Sequence, residues 1–335
     1  MNRTFIIAEA GVNHNGDLDI ALKMAQVAKE CGADAVKFQT FNVDELVSEN
    51  AAMADYQKNN LASEHVNSQK EMLSRLTLDD SDFREIADFC KRTGIRFLST
   101  PFDIESIRFL TLLQDIWKIP SGNITDYPYL VEIARTKKDI ILSTGMSTMD
   151  EVHEAWDVLK KNGFGEVTLL HCTTEYPAPL DTVNLKAMKT LQQEFGCLVG
   201  YSDHTKGIEV PIAAVAMGAT VIEKHFTLDR NMEGPDHAAS LEPDELKAMV
   251  EAIRNIETAT GDGEKTPSEA ELKNRIAARK SIVAKCDIAF GEALSEMNLT
   301  TKRPGNGISP MLWNGLIGTK AVRDFKKDEL IEICR

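Results

Sequence analysis

Short apolar runs rich in β-branched residues alternate along this chain with amphipathic stretches of about 10 to 18 residues. This alternation is typical of βα units that form a parallel sheet. It predicts strands at 4–11, 34–40, 95–101, 117–122, 139–145, 167–173, 197–204 and 220–226. Eight strands, each followed by a helix, predict an α/β fold of the (β/α)₈ or TIM-barrel type, with an open doubly wound sheet as the alternative.

The stretches between the strands have the apolar spacing of helices. Ile20, Met24 and Val27, for example, recur three and four positions apart. Asp103 and Thr148 each precede such a stretch and predict side-chain caps at the helix N-termini.

Each predicted strand becomes polar towards its carboxyl end. The residues concerned are Glu9, Lys37, Gln39, Ser99, Thr100, Ser121, Ser143, Thr144, His171, Thr173, Ser202, Asp203, His204, Glu223 and His225. In a barrel these ends converge on one face, where active sites of this fold are built. One such residue is explained by ordinary loop polarity, but eight polar strand ends in succession favour a barrel with a functional site.

Two segments depart from a plain barrel. Residues 41–78 are too long for an ordinary βα loop and predict either a lid over the active face or a helical excursion without function. The Gly-, Pro- and charge-rich stretch at 260–274 predicts a linker between a catalytic domain at 1–259 and a small domain at 275–335. The small domain has too few residues for a large core, so we expect it to dock onto another surface.

Composition narrows the classes of partner. The 335 residues suffice for a barrel of about 250 residues plus an appendage. A net charge of −14 argues against a nucleic-acid partner. No run approaches the ~20 apolar residues of a membrane span, and Glu9 interrupts the first apolar run, so we expect a cytoplasmic protein without a secretory signal. The six cysteines show no CxxC spacing and are interpreted as reduced packing residues.

His204 and His225 end the last two predicted strands and would face the same cavity. Two imidazoles can hold a metal whose remaining ligands are oxygens from water, carboxylate or substrate, which suits Mn²⁺ or Mg²⁺ better than structural zinc. The alternative is that each histidine only forms hydrogen bonds.

Lys37 and Lys118 lie among the hydroxyls of Thr100, Ser121, Ser143 and Ser202 at the same predicted rim. Two ammonium groups with several hydroxyl donors are what a phosphate and a carboxylate require in an acidic protein. Alternatively, the lysines pair with Glu9 or Glu223, and Glu9 is otherwise a general base or a hydrogen-bonding anchor.

The loop at 11–16 offers Asn13 and His14 for substrate contact or simple turn formation. The chain has no GxGxxG or P-loop motif for a nucleotide.

Taken together, the rim segments resemble the sialic acid synthases, a family that includes N-acetylneuraminate synthase and bacterial enzymes that make legionaminic and pseudaminic acids. The resemblance covers nearly the whole chain. The matching segments are IIAEAGVNHNG (6–16), VKFQT (36–40), FLSTPFD (97–103), KIPSG (118–122), ILSTGM (141–146), LLHCTTEYPAP (170–179), GYSDHT (200–205), IEKHFT (222–227), GPDH (234–237) and KRPGNG (302–307).

The resemblance implies a role for each matching residue. It implies that phosphoenolpyruvate is surrounded by Lys37, Thr100, Lys118, Ser121, Ser143 and Ser202. It implies that Glu9, His204 and His225 are catalytic, that the two histidines hold Mn²⁺ or Mg²⁺, and that Glu9, Gln39, Tyr176 and Asp236 face the sugar. The family commonly has Glu where this chain has Asn123, which predicts lower activity or an altered acceptor choice.

The family also has an antifreeze-like (SAF) domain after the barrel. The resemblance therefore implies a domain-swapped homodimer in which this domain covers the barrel of the other subunit. Arg303 would then contact the N-acyl group of the sugar in the partner's site.

The implied reaction condenses phosphoenolpyruvate with an N-acetylated amino-sugar aldehyde and releases phosphate. The acceptor is 2,4-diacetamido-2,4,6-trideoxymannose, giving legionaminic acid, or N-acetylmannosamine, giving N-acetylneuraminic acid. The segments EYPAP and TGDGEK favour the former. Two alternatives remain open: a phosphoenolpyruvate-dependent synthase with a phosphorylated acceptor, and a sugar-binding relative with weakened catalysis.

Overall fold

A computed structural model describes residues 3–48, 51 and 68–333 of this protein. The chain divides into two compact units, Met1–Asp262 and Gly263–Arg335. No helix in the described ranges is both long and apolar enough to span a membrane.

The first unit is built on eight parallel strands, as the alternating pattern predicts. They are β1 Phe5–Gly11, β2 Ala35–Thr40, β3 Arg96–Pro101, β4 Ile116–Ile119, β5 Asp139–Ser143, β6 Val167–Cys172, β7 Leu198–Asp203 and β8 Val221–His225. Their order in the sheet is β3-β2-β1-β8-β7-β6-β5-β4, and residues of β3 and β4 contact each other, which closes the ring. The predicted barrel is confirmed, and the open sheet is excluded.

Helices follow the strands. They are α1 Leu18–Glu30, α2 Val43–Leu46, α3 Gln69–Ser74, α4 Asp80–Thr93, α5 Ile104–Leu110, α6 Tyr127–Arg135, α7 Met149–Asn162, α8 Ala187–Phe195, α9 Glu209–Ala216 and α10 Pro243–Thr260. The two predicted caps are confirmed. The Ser106 N–H donates to the Asp103 carboxylate at 2.7 Å, and the Glu151 N–H donates to the Thr148 hydroxyl at 3.3 Å.

Alternate strand residues face the barrel interior, where they form two layers. The apolar layer consists of Ile7, Ala35, Leu98, Ile116, Ile141, Leu170, Gly200 and Val221. Two residues later on each strand lies the polar layer, formed by Glu9, Lys37, Thr100, Lys118, Ser143, Cys172, Ser202 and Glu223. A Cβ at Gly200 would lie only 2.6 Å from Leu170 Cδ2 and 2.9 Å from Val221 Cβ, so close packing explains the glycine.

The long segment after β2 is described at its two ends. Val47, Met72, Leu73 and Leu76 pack with Val12 into a small apolar cluster. Residues 49–50 and 52–67, on which most of the lid hypothesis rests, lie outside the described residues.

The second unit contains helix α11 Glu269–Ala278, the antiparallel strands β9 Ser281–Ala284 and β10 Leu299–Lys302, and the short helix α12 Trp313–Leu316. It has a small core of its own. The core residues are Ile282, Ala284, Ile288, Leu294, Leu299, Leu316, Ala321, Phe325 and Ile331. Part of the stretch interpreted as a linker, 260–274, forms the start of α11.

Candidate active site

Four charged side chains of the polar layer form one buried cluster. Lys37 Nζ lies 2.6 Å from Glu9 Oε2 and 3.9 Å from Glu223 Oε2, and Lys118 Nζ lies 3.3 Å from Glu223 Oε1. All four residues are at most 5% exposed. The two lysines therefore form ion pairs with Glu9 and Glu223 in this structure. Two cations balance two carboxylates, which makes their burial tolerable.

Neighbouring polar groups hold this cluster in place. Lys37 Nζ donates to Thr100 Oγ1 at 3.0 Å, and Ser202 Oγ donates to Glu223 Oε1 at 3.0 Å. Gln39 Nε2 lies 3.3 Å from Glu9 Oε1 and donates to it. The structure thus brings the predicted residues Glu9, Lys37, Gln39, Thr100, Lys118 and Ser202 together.

The two carboxylates of the cluster differ in proton affinity. Burial raises the pKa of Glu9 to about 7, because loss of water outweighs the attraction of Lys37 and because Glu223 adds negative charge. Burial also acts to raise the pKa of Glu223, but Lys118 and Lys37 outweigh it and hold that pKa below its usual range. Glu9 is therefore the group that can exchange a proton near neutral pH.

Hydroxyl groups crowd the loop after β5. The Gly145 N–H donates to Ser121 Oγ at 2.9 Å, and a Cβ at Gly145 would lie 2.2 Å from Thr174 Oγ1. Ser143 Oγ and Thr174 Oγ1 are buried and have no hydrogen-bond partner within the described part of the chain. Buried hydroxyls of this kind need an acceptor, and an anion near Lys118 would supply one.

The two predicted metal ligands lie side by side above the polar layer. The ring centroids of His204 and His225 are 5.5 Å apart, and the Tyr176 ring is 4.1 Å from His204 and 5.8 Å from His225. His204 Nδ1 lies 2.7 Å from the Thr173 carbonyl oxygen, to which it donates. In the neutral imidazole, that hydrogen bond leaves Nε2 of His204 with a free lone pair, as metal-binding histidines require.

Two observations indicate that this histidine pair can hold a divalent metal. His225 Nδ1 is buried without a hydrogen bond to any described residue, and burial together with His204 holds the pKa of His225 well below its usual range, which favours the neutral, ligating form. Among the described residues, no group of three His, Cys, Asp or Glu side chains could hold a metal. Two imidazoles with oxygen ligands from water or substrate are the arrangement that the residues support.

The Cys172 thiol, which was interpreted as a packing residue, is buried and also contacts a site residue. Its Sγ lies 3.7 Å from His204 Nδ1. Burial opposes ionisation of the thiol, but His204 and Lys118 outweigh it and lower the pKa of Cys172. Burial acts to lower the pKa of His204, but Cys172 and the Thr173 carbonyl outweigh it and raise that pKa. Metal binding at His204 would therefore release a proton.

The side chains expected to face the sugar meet around Gly11. A Cβ there would lie 3.4 Å from both Gln39 Nε2 and Glu9 Oε1 and 3.8 Å from Asp236 Oδ2. Burial raises the pKa of Asp236 to about 6. The φ of Gly11 is +55°, a left-handed conformation that favours glycine.

Asn13 joins the loop after β1 to the loop that carries Asp236. Its Nδ2 donates to the Phe226 carbonyl at 2.9 Å and to Ser240 Oγ at 3.0 Å, and Ser240 Oγ donates to the Asp236 carbonyl at 2.7 Å. The amide of Asn13 thus contacts protein groups, as in the turn-forming interpretation of this loop.

Two predicted residues lie apart from these contacts. Asn123 is buried in the short 3₁₀ turn Ser121–Asn123, where its backbone N–H donates to the Pro120 carbonyl at 3.1 Å. Arg303 belongs to the second unit, is exposed, and its Nε donates to the Ala278 carbonyl at 3.0 Å.

Cys172 and Thr174 were not predicted as site residues, and Glu223 was predicted only as a polar strand end and a possible partner of the lysines. Glu223 stands two positions before His225, so both residues lie on the same face of the strand. That spacing was the signal that placed Glu223 in the barrel interior.

Residues 24–265 match the model of the NeuB family. This chain belongs to the NeuB family. Residues 279–332 of this NeuB-family protein match the SAF domain. The predicted resemblance and the predicted pair of folds are therefore confirmed.

Similar proteins agree with this assignment. The chain is 54% identical over 334 residues to N,N'-diacetyllegionaminic acid synthase of Campylobacter jejuni, with 99% of each chain covered. It is 49% identical to the enzyme of the same name from Legionella pneumophila, covering 94% of this chain and 90% of that one. Among solved structures, N-acetylneuraminic acid synthetase of Leptospira borgpetersenii is similar with a TM-score of 0.73 and 35% identity, covering 82% of this chain and 90% of that one.

Proposed function

We propose that this protein is a nonulosonic acid synthase that joins phosphoenolpyruvate to an N-acetylated amino-sugar aldehyde and releases phosphate. The observation that carries the proposal is the buried cluster of two lysines and two glutamates beneath a histidine pair, in a member of the NeuB family. The relatives named for N,N'-diacetyllegionaminic acid support 2,4-diacetamido-2,4,6-trideoxymannose as the acceptor, with N-acetylmannosamine as the second candidate.

Phosphoenolpyruvate would bind over the polar layer. Lys37 and Lys118 supply positive charge, and Ser143 and Thr174 supply buried hydroxyls without partners among the described residues. The cluster is neutral when all four groups are ionised, so an incoming anion adds uncompensated negative charge. The hydroxyls of Ser143 and Thr174 would offset part of that charge by donating hydrogen bonds to the anion.

The acceptor aldehyde would lie between the histidine pair and the side chains around Gly11. A Mn²⁺ or Mg²⁺ ion held by His204 and His225 would polarise the aldehyde oxygen as a Lewis acid. Tyr176 lies against both imidazoles, and Gln39 and Asp236 approach the same space. These residues would orient the open-chain sugar. Asn123, where the family resemblance leads us to expect Glu, would contribute to the choice of acceptor.

Three bond changes make up the proposed reaction. C3 of phosphoenolpyruvate attacks the aldehyde carbon, water adds at C2, and the C2–O bond to phosphate breaks to leave a ketone. Lys37 and Lys118 would stabilise the growing charge of the leaving phosphate. Both protons of the water leave as the ketone forms: one reaches the new hydroxyl and the other reaches the departing phosphate. Glu9 can accept the first of these protons and pass it to the new hydroxyl, because its pKa lies near 7.

We further propose that the active form is a homodimer in which Arg303 acts in the site of the second copy. Mixing two inactive variants, Arg303→Ala and His225→Ala, tests this directly. Mixed dimers would contain one complete site, so about a quarter of wild-type activity should return in a randomised mixture. Recovery of no activity in verified mixed dimers would contradict the arrangement.

A side-by-side acceptor assay tests the proposed function. Purified protein with phosphoenolpyruvate and Mn²⁺ receives 2,4-diacetamido-2,4,6-trideoxymannose, N-acetylmannosamine or arabinose 5-phosphate. The proposal expects phosphate and a nine-carbon keto acid with the first, less with the second and none with the third. Turnover with arabinose 5-phosphate alone would favour the synthase with a phosphorylated acceptor instead.

A further inference from the structure

An ion pair is buried in the barrel wall directly beside the histidine pair. Lys224 and Asp203 are each 1% exposed, and the Lys224 ammonium donates to both Asp203 Oδ2 and the Thr205 carbonyl. The Asp203 carboxylate also accepts the Thr205 N–H at 3.0 Å and the Thr205 hydroxyl at 3.1 Å. The proposed reaction uses none of these three residues.

The alternation of the strands places this pair outside the polar layer. Ser202 and Glu223 face the interior, so the next residues, Asp203 and Lys224, point to the opposite side of the sheet. Each charged residue immediately precedes one of the two histidines, His204 or His225, in the chain.

The pair also stands where the backbone ladder stops. The register between β7 and β8 runs through Ser202 opposite Glu223 and ends with Asp203 opposite Lys224. Beyond that point, the side-chain hydrogen bonds of Lys224 and Asp203 hold the ends of β7 and β8 together. Asp203 accepts hydrogen bonds from the N–H and the hydroxyl of Thr205, and Lys224 donates to the Thr205 carbonyl. The backbone of His204 is therefore fixed from both sides.

We propose that Asp203 and Lys224 are positioning residues that set the separation and orientation of His204 and His225 for metal binding. The inference rests on the proposed function, in which those histidines hold the metal. Residues that orient metal ligands from behind are commonly needed for full affinity. A buried ion pair contributes little net stability compared with apolar residues of similar volume, so stability alone is a poor reason for its presence.

A second ion pair in the barrel, which is only partly buried, provides a control. Arg254 Nη2 lies 2.7 Å from Asp34 Oδ2, just before β2 and thus at the opposite end of the barrel from the histidines. Removing it should lower the melting temperature without changing metal affinity.

The test is a titration of the full-length protein with MnCl₂, followed by the electron paramagnetic resonance signal of free Mn²⁺. The variant Asp203→Asn/Lys224→Met removes both charges and so leaves no unpaired buried ion. Its Kd for Mn²⁺ should be about 10- to 100-fold weaker than that of the wild type. The control variant Asp34→Asn/Arg254→Met should keep the wild-type Kd.

The outcomes separate this inference from the proposed function. A wild-type Kd in the Asp203/Lys224 variant, with binding lost in His204→Ala and His225→Ala, would overturn the inference alone. Wild-type binding in both histidine variants would overturn the inference and the proposed metal site together. Should the double variant unfold, Thr205→Val keeps both charges and removes one hydroxyl. Its Kd should also weaken, and an unchanged Kd there would refute the positioning role.

Discussion

The two layers of the barrel interior use the same strands for opposite purposes. The apolar layer and the polar layer are two residues apart on each strand, and both are largely buried. Leu98 of the one is opposite Lys37 of the other in the register of β2 and β3. The apolar layer stabilises the folded barrel because it buries hydrocarbon side chains away from water. The polar layer places four charges out of water, which costs several kcal/mol per ion before pairing offsets it.

The residues that stabilise the barrel and the residues that carry the chemistry therefore lie only two positions apart on each strand. A substitution in the apolar layer should change mainly the free energy of unfolding, whereas a substitution in the polar layer should change mainly the rate.

Lys118→Met should have the largest effect on catalysis. It removes the cation on β4, the strand that pairs with β5 and its Ser143, and leaves Glu223 with Lys37 alone. We expect kcat to fall about 10²- to 10³-fold, as when one group that stabilises transition-state charge is lost. Phosphate release measures the rate. Lys138→Met, at a lysine bonded to backbone carbonyls outside the interior, is the control and should keep kcat. Equal rates in the two variants would contradict the role of the polar layer.

Leu98→Ala should act on stability instead. The residue is fully buried in the apolar layer, so its truncation leaves a cavity and should cost about 2–5 kcal/mol of unfolding free energy. Urea denaturation measures the loss. The rate per folded molecule should stay near that of the wild type. A large loss of kcat with unchanged stability would show that the layers are not separable.

Glu9 should control the pH dependence of the rate. Its pKa is raised to about 7, so the carboxylate is charged above that pH and neutral below it. If Glu9 accepts a proton during the reaction, kcat should fall about tenfold per pH unit on the acid side of pH 7. Glu9→Gln should be slow at every pH and lack this dependence. The exposed Glu154→Gln control should retain it, and a Glu9→Gln profile with the same acid limb would assign the limb to another group.

Asn13→Ala should have the smallest effect. The change removes two hydrogen bonds that hold the Asp236 loop, each contributing about 0.5–1.5 kcal/mol. We expect KM for the sugar to rise about 3- to 10-fold while KM for phosphoenolpyruvate is unchanged. Asn162→Ala, which loses a hydrogen bond to Val158 at the end of α7, is the control. A matching rise in both KM values would point to a general structural defect.

Much of the fold was predictable because its signals are local. Each strand is a short apolar run that ends in polar residues, and the observed strand limits lie within two residues of the predicted ones except at the end of β4, where the strand ends three residues earlier. The start of α11 was missed, although Ser268 and Glu271 form a capping box within the presumed linker.

Which lysine pairs with which glutamate was not predictable, because the specific contacts depend on closure of the ring. Glu223 on β8 contacts Lys118 on β4, and these strands are four places apart in the sheet order. Nothing in the local sequence of either strand specifies that contact. Likewise, the approach of Cys172 to His204 follows from the register of β6 and β7, in which Cys172 is opposite Ser202.

Product formation by variants of the histidine pair tests directly whether His204 and His225 hold the metal for the condensation. Metal-depleted wild-type protein, His204→Ala and His225→Ala would each receive phosphoenolpyruvate and 2,4-diacetamido-2,4,6-trideoxymannose, with and without Mn²⁺, and the nine-carbon keto acid and phosphate would be quantified. We expect equal amounts of both products from the wild type with Mn²⁺ and little from either variant. Metal-independent condensation, or wild-type rates in both variants, would contradict the account.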